Sequence, residues 1–197
     1  MGFIKKLNKY KTEISNRWHM IMFNLFEKPL FKSFGNITFI GKDFNFLNKQ
    51  YISIGNNFIT LQRCRIEAIT SYENVIFFPE ISIGNNVTFN TDVHIGCINK
   101  ITIGDNVLLA SRIYISDHSH GEVNIDALNI PPNQRPLISK GEVIIEDNVW
   151  IGEGVSILAN VSIGKNSIIG ANSVVTKSFP ENSVIAGVPA RLIKILS

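Results

Sequence analysis

"VIIEDNVWIGEGVSILANVSIGKNSIIGANSVV", residues 143–175, repeats itself every six residues. Ile145, Ile151, Ile157, Ile163, Ile169 and Val175 share one phase, and Val149, Val155, Val161, Ser167 and Ser173 follow four positions behind the first five. A period of six fits neither a helix nor a simple strand, and hexapeptide periodicity is the signature of a parallel β-helix. The position three after each aliphatic residue holds Asn148, Asn160, Asn166 and Asn172, with Gly154 once. Asn and Gly tolerate the left-handed backbone of a sharp corner. The pattern therefore predicts short strands with aliphatic residues inward, turned by Asn, three strands closing a triangular coil of roughly eighteen residues that stacks on its neighbours.

The same phase extends towards the N-terminus. Ile83, Phe89 and Ile95 form one block and Ile103, Leu109 and Ile115 the next, with Asn57, Asn86 and Asn106 at the turn position and exceptions at Asp92 and Arg112. The step between these two blocks exceeds three hexads by two residues, which predicts a bulge at a corner. Weaker copies begin near Ile40 and Ile54. The expected organisation is an N-terminal amphipathic helix over 1–30, a β-helix over 31–190 and a C-terminal tail over 191–197.

Two segments break the repeat. Phe3, Leu7, Tyr10, Ile14, Trp18, Ile21 and Leu25 are spaced by three or four before Pro29, the pattern of an amphipathic helix. Such a helix can cap the open edge of the first coil; its lysine-rich polar face also suits an anionic membrane surface. Residues 116–142, "SDHSHGEVNIDALNIPPNQRPLISKGE", interrupt the hexads, which resume in register at Val143. A loop of this length inside a tight solenoid points to function.

Composition narrows the classes. Of the net charge of +3, the first 30 residues carry +4 (Lys5, Lys6, Lys9, Lys11, Arg17 and Lys28 against Glu13 and Glu27), which leaves the body near −1 and speaks against a nucleic-acid groove. Cys64 and Cys97 form no CxxC, so a reducing cytoplasmic compartment is expected. No stretch reaches the ~18 apolar residues of a membrane span, and no secretory signal is evident.

The hexads, the loop after "ISDHSHG" and the ending "VVTKSFPENSVIAGVPARLIKIL" together resemble the left-handed β-helix acetyltransferases that use acetyl-CoA, especially the galactoside, maltose and surface-polysaccharide O-acetyltransferases. The resemblance runs from about residue 50 to the C-terminus. It implies an all-β, left-handed parallel β-helix with a protruding loop, a homotrimer with sites between subunits, a histidine general base and no acyl-enzyme. It further implies O-acetylation of a sugar hydroxyl in a bacterial surface polysaccharide or its precursor. The protein would then be cytoplasmic or peripheral at the inner face of the cell membrane.

Acetyl transfer to a hydroxyl needs a base with a pKa near working pH, which suits histidine. Counted without a gap from "IGDNV" at Ile103, the base of the galactoside and maltose relatives falls on His120, with His118 the second candidate and Asp117 the nearest residue to orient an imidazole. The resemblance implies that Trp150, Ala171, Thr176, Lys177 and Arg191 line the acetyl-CoA channel and that Asn90 contacts the acceptor. The cationic residues among them suit the phosphates of CoA. Glu153 stands where relatives often carry a small or polar residue.

Three rivals remain at this stage. An N-acetyltransferase acting on a nucleotide-linked amino sugar would share the base and the CoA channel. A zinc enzyme of the carbonic-anhydrase type, which the same fold hosts, would need three histidines such as His94, His118 and His120; their spacing differs from that relative, and no metal is expected. A non-catalytic trimeric scaffold would bind no CoA.

Overall fold

The computed structural model describes residues 2–122 and 124–197, with the side chains of 2–11, 37–38 and 126 outside that description. The hexads form three parallel sheets wound around one aliphatic core. The first face runs from Ser33–Phe34 to Val161–Ile163, the second from Ile37–Ile40 to Ser183–Gly187, and the third from Asn45–Leu47 to Val174–Val175. Stacking is in phase: Ile81 pairs with Ile101, Ile101 with Val143, and Val143 with Val161, all inward and buried.

Corners follow the Asn expectation and extend it. Asn57, Asn86, Asn106, Asn148, Asn160, Asn166 and Asn172 all have positive φ. Five of these, joined by Asn182, build a ladder up one corner. Its amides donate from Asn57 to Asn86, Asn106, Asn148, Asn166 and Asn182 in turn, at 2.9 to 3.1 Å. The exceptions Asp92 (φ 62°) and Arg112 (φ 59°) adopt the same conformation. A left-handed residue with a side chain costs about 1–2 kcal/mol. Here the coils above and below impose the turn, and the side chains find charged partners: Arg63 donates to Asp92 at 2.7 and 2.8 Å and Arg112 pairs with Glu153 at 2.7 Å.

The three longest departures from the hexad fall at one corner, between the third face and the next turn of the first. Residues 69–79 form a hairpin there, with Ser71–Tyr72 paired to Val75–Ile76. Ile98 and Asn99 are the two extra residues of the next coil, and 117–142 is the long loop, whose strands His118–His120 and Leu137–Ser139 pair antiparallel. Tyr72 ties hairpin to loop, its hydroxyl donating to the Asn133 carbonyl at 2.6 Å. The hairpin was not foreseen, because its residues carry no repeat.

Both ends of the solenoid are covered. At the N-terminal end, helix Gly2–Met22 continues through a wider turn at Phe23–Glu27 and a tight one at Lys28–Leu30. Phe23 closes the first coil against Phe31, Phe34 and Phe46, and His19 Nε2 lies 3.2 Å from the Gly41 carbonyl. Of the apolar positions expected on the helix, Phe3, Leu7 and Tyr10 lie outside the described side chains, as do Lys5, Lys6, Lys9 and Lys11; Ile14, Trp18, Ile21 and Leu25 form an exposed stripe. At the C-terminal end, Ala190–Ile195 is a strand rather than a free tail. It folds back antiparallel on Ser183–Gly187 and occupies the hydrogen-bonding edge that the last coil would otherwise expose.

Candidate active site

Asp117 opens the long loop as a fully buried carboxylate. Four donors converge on it: the backbone N–H of Ile98 on Oδ1 at 3.0 Å, that of Asn99 on Oδ2 at 2.8 Å, the Cys97 thiol on Oδ2 at 3.2 Å, and His118 Nδ1 on Oδ1 at 3.0 Å. The two-residue insertion makes this possible, because only a widened corner turns the N–H groups of 98 and 99 inward together. Burial first, and then the charge of Asp117, push the Cys97 thiol far above its ordinary range, so it stays protonated and donates.

An ionised carboxylate only accepts, so Nδ1 of His118 carries the hydrogen and Nε2 is left as the acceptor. That is the tautomer a general base needs. Ser116 steadies the same residue, its hydroxyl donating to the His118 carbonyl at 3.0 Å and accepting from the His118 N–H at 3.2 Å. The ring lies over Gly96: a Cβ there would sit 3.1 Å from His118 Cε1, so the missing side chain makes the room.

Strand period two puts His118 and His120 on the same side of the loop hairpin. Both line a cavity of about 220 Å³, together with Glu67, Ile69, Tyr72, His94, Gly96, Tyr114 and Leu137. His120 is exposed, its ring edge-on to Tyr72 at 5.1 Å, while the His118 side chain is 11% exposed. Across the floor, His94 lies 3.0 Å by Nε2 from Glu67 Oε2, and Arg65 Nη2 lies 3.1 Å from both of its ring nitrogens. Desolvation pushes His94 below the ordinary histidine range even though Glu67 pulls the other way. Both nitrogens thus have protein partners, and among the described residues no group of three His, Cys, Asp or Glu is placed to hold a metal ion.

A family model described as bacterial transferase hexapeptide (six repeats) matches residues 142–177. The chain is 43% identical over 151 residues to a protein named as a lipopolysaccharide biosynthesis O-acetyl transferase, WbbJ of Escherichia coli (strain K12), covering 75% of this chain and 73% of that one. The chain belongs to the hexapeptide-repeat acetyltransferases.

Other members of this acetyltransferase family align with it over shorter or more divergent stretches. The galactoside O-acetyltransferase of E. coli (strain K12) is 41% identical over 119 residues, 58% of this chain and 53% of that one. Among solved structures, a point mutant of AntD, an N-acyltransferase from Bacillus cereus in complex with dTDP-4-amino-4,6-dideoxyglucose and coenzyme A, superposes with a TM-score of 0.70 at 26% identity, covering 87% of each chain. A galactoside acetyltransferase in complex with coenzyme A gives 0.57 at 29% identity over 93% of this chain and 80% of that one.

Within one chain of this acetyltransferase, the expected residues separate into two groups. His118 and His120 meet at the cavity, with Asp117 buried behind His118. Asn90 stands at the far corner of the third face, half-buried, with its backbone N–H on the Leu109 carbonyl at 3.0 Å. Trp150 projects from the second face, 50% exposed, between Leu108 and Ile168 of the adjacent strands. Ala171 is at a corner, Thr176 and Lys177 follow the last strand of the third face, Lys177 Nζ lying 5.6 Å over the Phe179 ring, and Arg191 is in the closing strand; all four are exposed. Glu67, Tyr72 and Gly96 were missed. Glu67 had a signal: "RIE" at 65–67 has the same phase as "HIG" at 94–96, which the 69–79 insertion hides.

Proposed function

We propose that this acetyltransferase moves the acetyl group of acetyl-CoA to a sugar hydroxyl of a bacterial surface polysaccharide or its precursor, with His118 as general base and Asp117 as the residue that orients it. The observation that carries the reading is the contact of buried Asp117 with His118, which lines the cavity. This reverses the order expected from the ungapped count, which favoured His120. His120 has no comparable carboxylate and instead forms the cavity wall with Tyr72.

In the reaction, Nε2 of His118 takes the acceptor hydroxyl proton as that oxygen attacks the thioester carbonyl. The C–O bond forms, the C–S bond breaks, and the departing CoA thiolate is protonated from the imidazolium, which restores the base. Trp150, Ala171, Thr176, Lys177 and Arg191 are proposed to hold the donor and Asn90 the acceptor. Because these positions are spread over two faces and two corners, a homotrimer that apposes one protomer's cavity to its neighbour's donor surface completes the site. Calorimetric titration of acetyl-CoA into the protein is expected to show saturable binding near one site per subunit, weakened about 10-fold by Lys177→Ala through loss of a charge-assisted phosphate contact. No binding would sink the transferase reading.

A second reading is N-acetylation of a nucleotide-linked amino sugar, favoured by the superposition on AntD. Parallel assays with hydroxyl and amine acceptors separate the two. No described helix is long and apolar enough to cross a membrane. The stripe Ile14, Trp18, Ile21 and Leu25, in a segment of charge +4, is proposed to meet the anionic inner surface of the cell membrane. Co-sedimentation with phosphatidylglycerol vesicles but not with phosphatidylcholine vesicles is the expected result, abolished by Trp18→Glu with Ile21→Glu; equal binding to both vesicles, or to neither, would refute it.

A further inference from the structure

We propose that Glu67 is a specificity-determining residue that selects acceptors carrying a free hydroxyl next to the one acetylated, and that it disfavours acceptor rings bearing a carboxylate; this rests on the acetyl-transfer reading above. The cavity of about 220 Å³ is smaller than the roughly 300–1,000 Å³ of pockets for drug-sized ligands, which suits one sugar ring. Two acceptors of its lining matter here, Glu67 and His118. His94 has both ring nitrogens within reach of protein partners, Nε2 with Glu67 and both nitrogens with Arg65 Nη2. Glu67 uses Oε2 for His94 and Oε1 for Arg65 Nε at 3.3 Å, which leaves each oxygen a second lone pair. His118 Nε2 is likewise an acceptor.

A ligand that engages both Glu67 and His118 Nε2 donates to each. Glu67 pairs directly with Gly96 on the neighbouring strand, the residue over which the His118 ring lies, and both Glu67 and His118 line the one cavity. Two adjacent hydroxyls of a pyranose are placed to meet them, one at the base and the other at the carboxylate. Arg65 and His94 hold Glu67 in place. A ring carboxylate would meet Glu67 as a like charge in a half-buried site, where repulsion is poorly screened.

The test uses the full-length protein, acetyl-CoA and a panel of p-nitrophenyl hexopyranosides, read as CoA thiol release. For a panel member that is turned over, the 3-deoxy or 4-deoxy analogue lacking the hydroxyl beside the acetylated position is expected to lose 10- to 100-fold in kcat/KM, and the corresponding uronide to lose at least as much. Glu67→Gln is expected to lose a similar factor on the parent sugar, to lose little further on the deoxy analogue, and to leave the acetyl-CoA dissociation constant unchanged. Equal losses on both acceptors would assign Glu67 a purely structural role and overturn the proposal. So would unimpaired turnover of the deoxy sugar by the wild type, or transfer to none of the glycosides while acetyl-CoA binds. Failure to bind acetyl-CoA at all would instead strike the transferase reading beneath it.

Discussion

His118→Ala is expected to lower kcat by about 10²–10⁴-fold, the usual contribution of a positioned general base, with the acetyl-CoA dissociation constant unchanged. The fold should survive, because Asp117 keeps its three other donors from Cys97, Ile98 and Asn99 when the imidazole is gone. His120→Ala is the matched control: its ring is exposed and touches Tyr72, so turnover is expected to stay within about an order of magnitude of wild type. Steady-state kinetics on the two variants decide between them. A dead His120 variant beside an active His118 variant would return the base to the position indicated by the ungapped count.

Asp117→Asn is expected to damage stability and catalysis together, and the two losses have separable causes. The asparagine side chain keeps one acceptor oxygen and turns an NH₂ towards a site built of donors, so at least one of the N–H groups of Ile98 and Asn99 loses its partner. Leaving buried polar groups unsatisfied costs about 1–3 kcal/mol each, more where a charge was involved, so a total of roughly 2–4 kcal/mol is expected. For a domain of this size that lowers the melting temperature by roughly 5–15 °C. Turnover per folded molecule should fall by about 10²-fold or more as well, because an amide no longer fixes the Nδ1–H tautomer of His118. A lower melting temperature with unchanged turnover per folded molecule would make Asp117 a corner lock only.

The comparison of these two residues shows where sequence reasoning ran out. The motif "DHSH" was legible as a candidate site from its place after the hexads, and Asp117 was legible as a neighbour of both histidines. Which histidine the carboxylate touches depends on the path of the chain around a widened corner. The residues that shape the corner, Cys97 to Asn99, lie a full coil earlier. Glu67 was passed over although its phase was readable: it meets His94 across one coil, and an eleven-residue gap in the repeat, 69–79, hides that phase in the sequence.

The sequence by itself determined the solenoid. A repeat of six with aliphatic residues inward and Asn at the turn has one way to bury its apolar residues, and each coil needs only its nearest neighbours to do so, so local pattern suffices. It also placed a helix in the N-terminal segment, where the structure has one over Gly2–Met22. The tertiary structure alone decided that the 69–79 hairpin, the Ile98–Asn99 insertion and the 117–142 loop stack at one corner, that His118 and not His120 takes the buried carboxylate, and that Glu67 and His94 face them across the cavity. Those contacts join residues from different coils, and their meeting is set by stacking register, a property of the wound chain that no single repeat encodes.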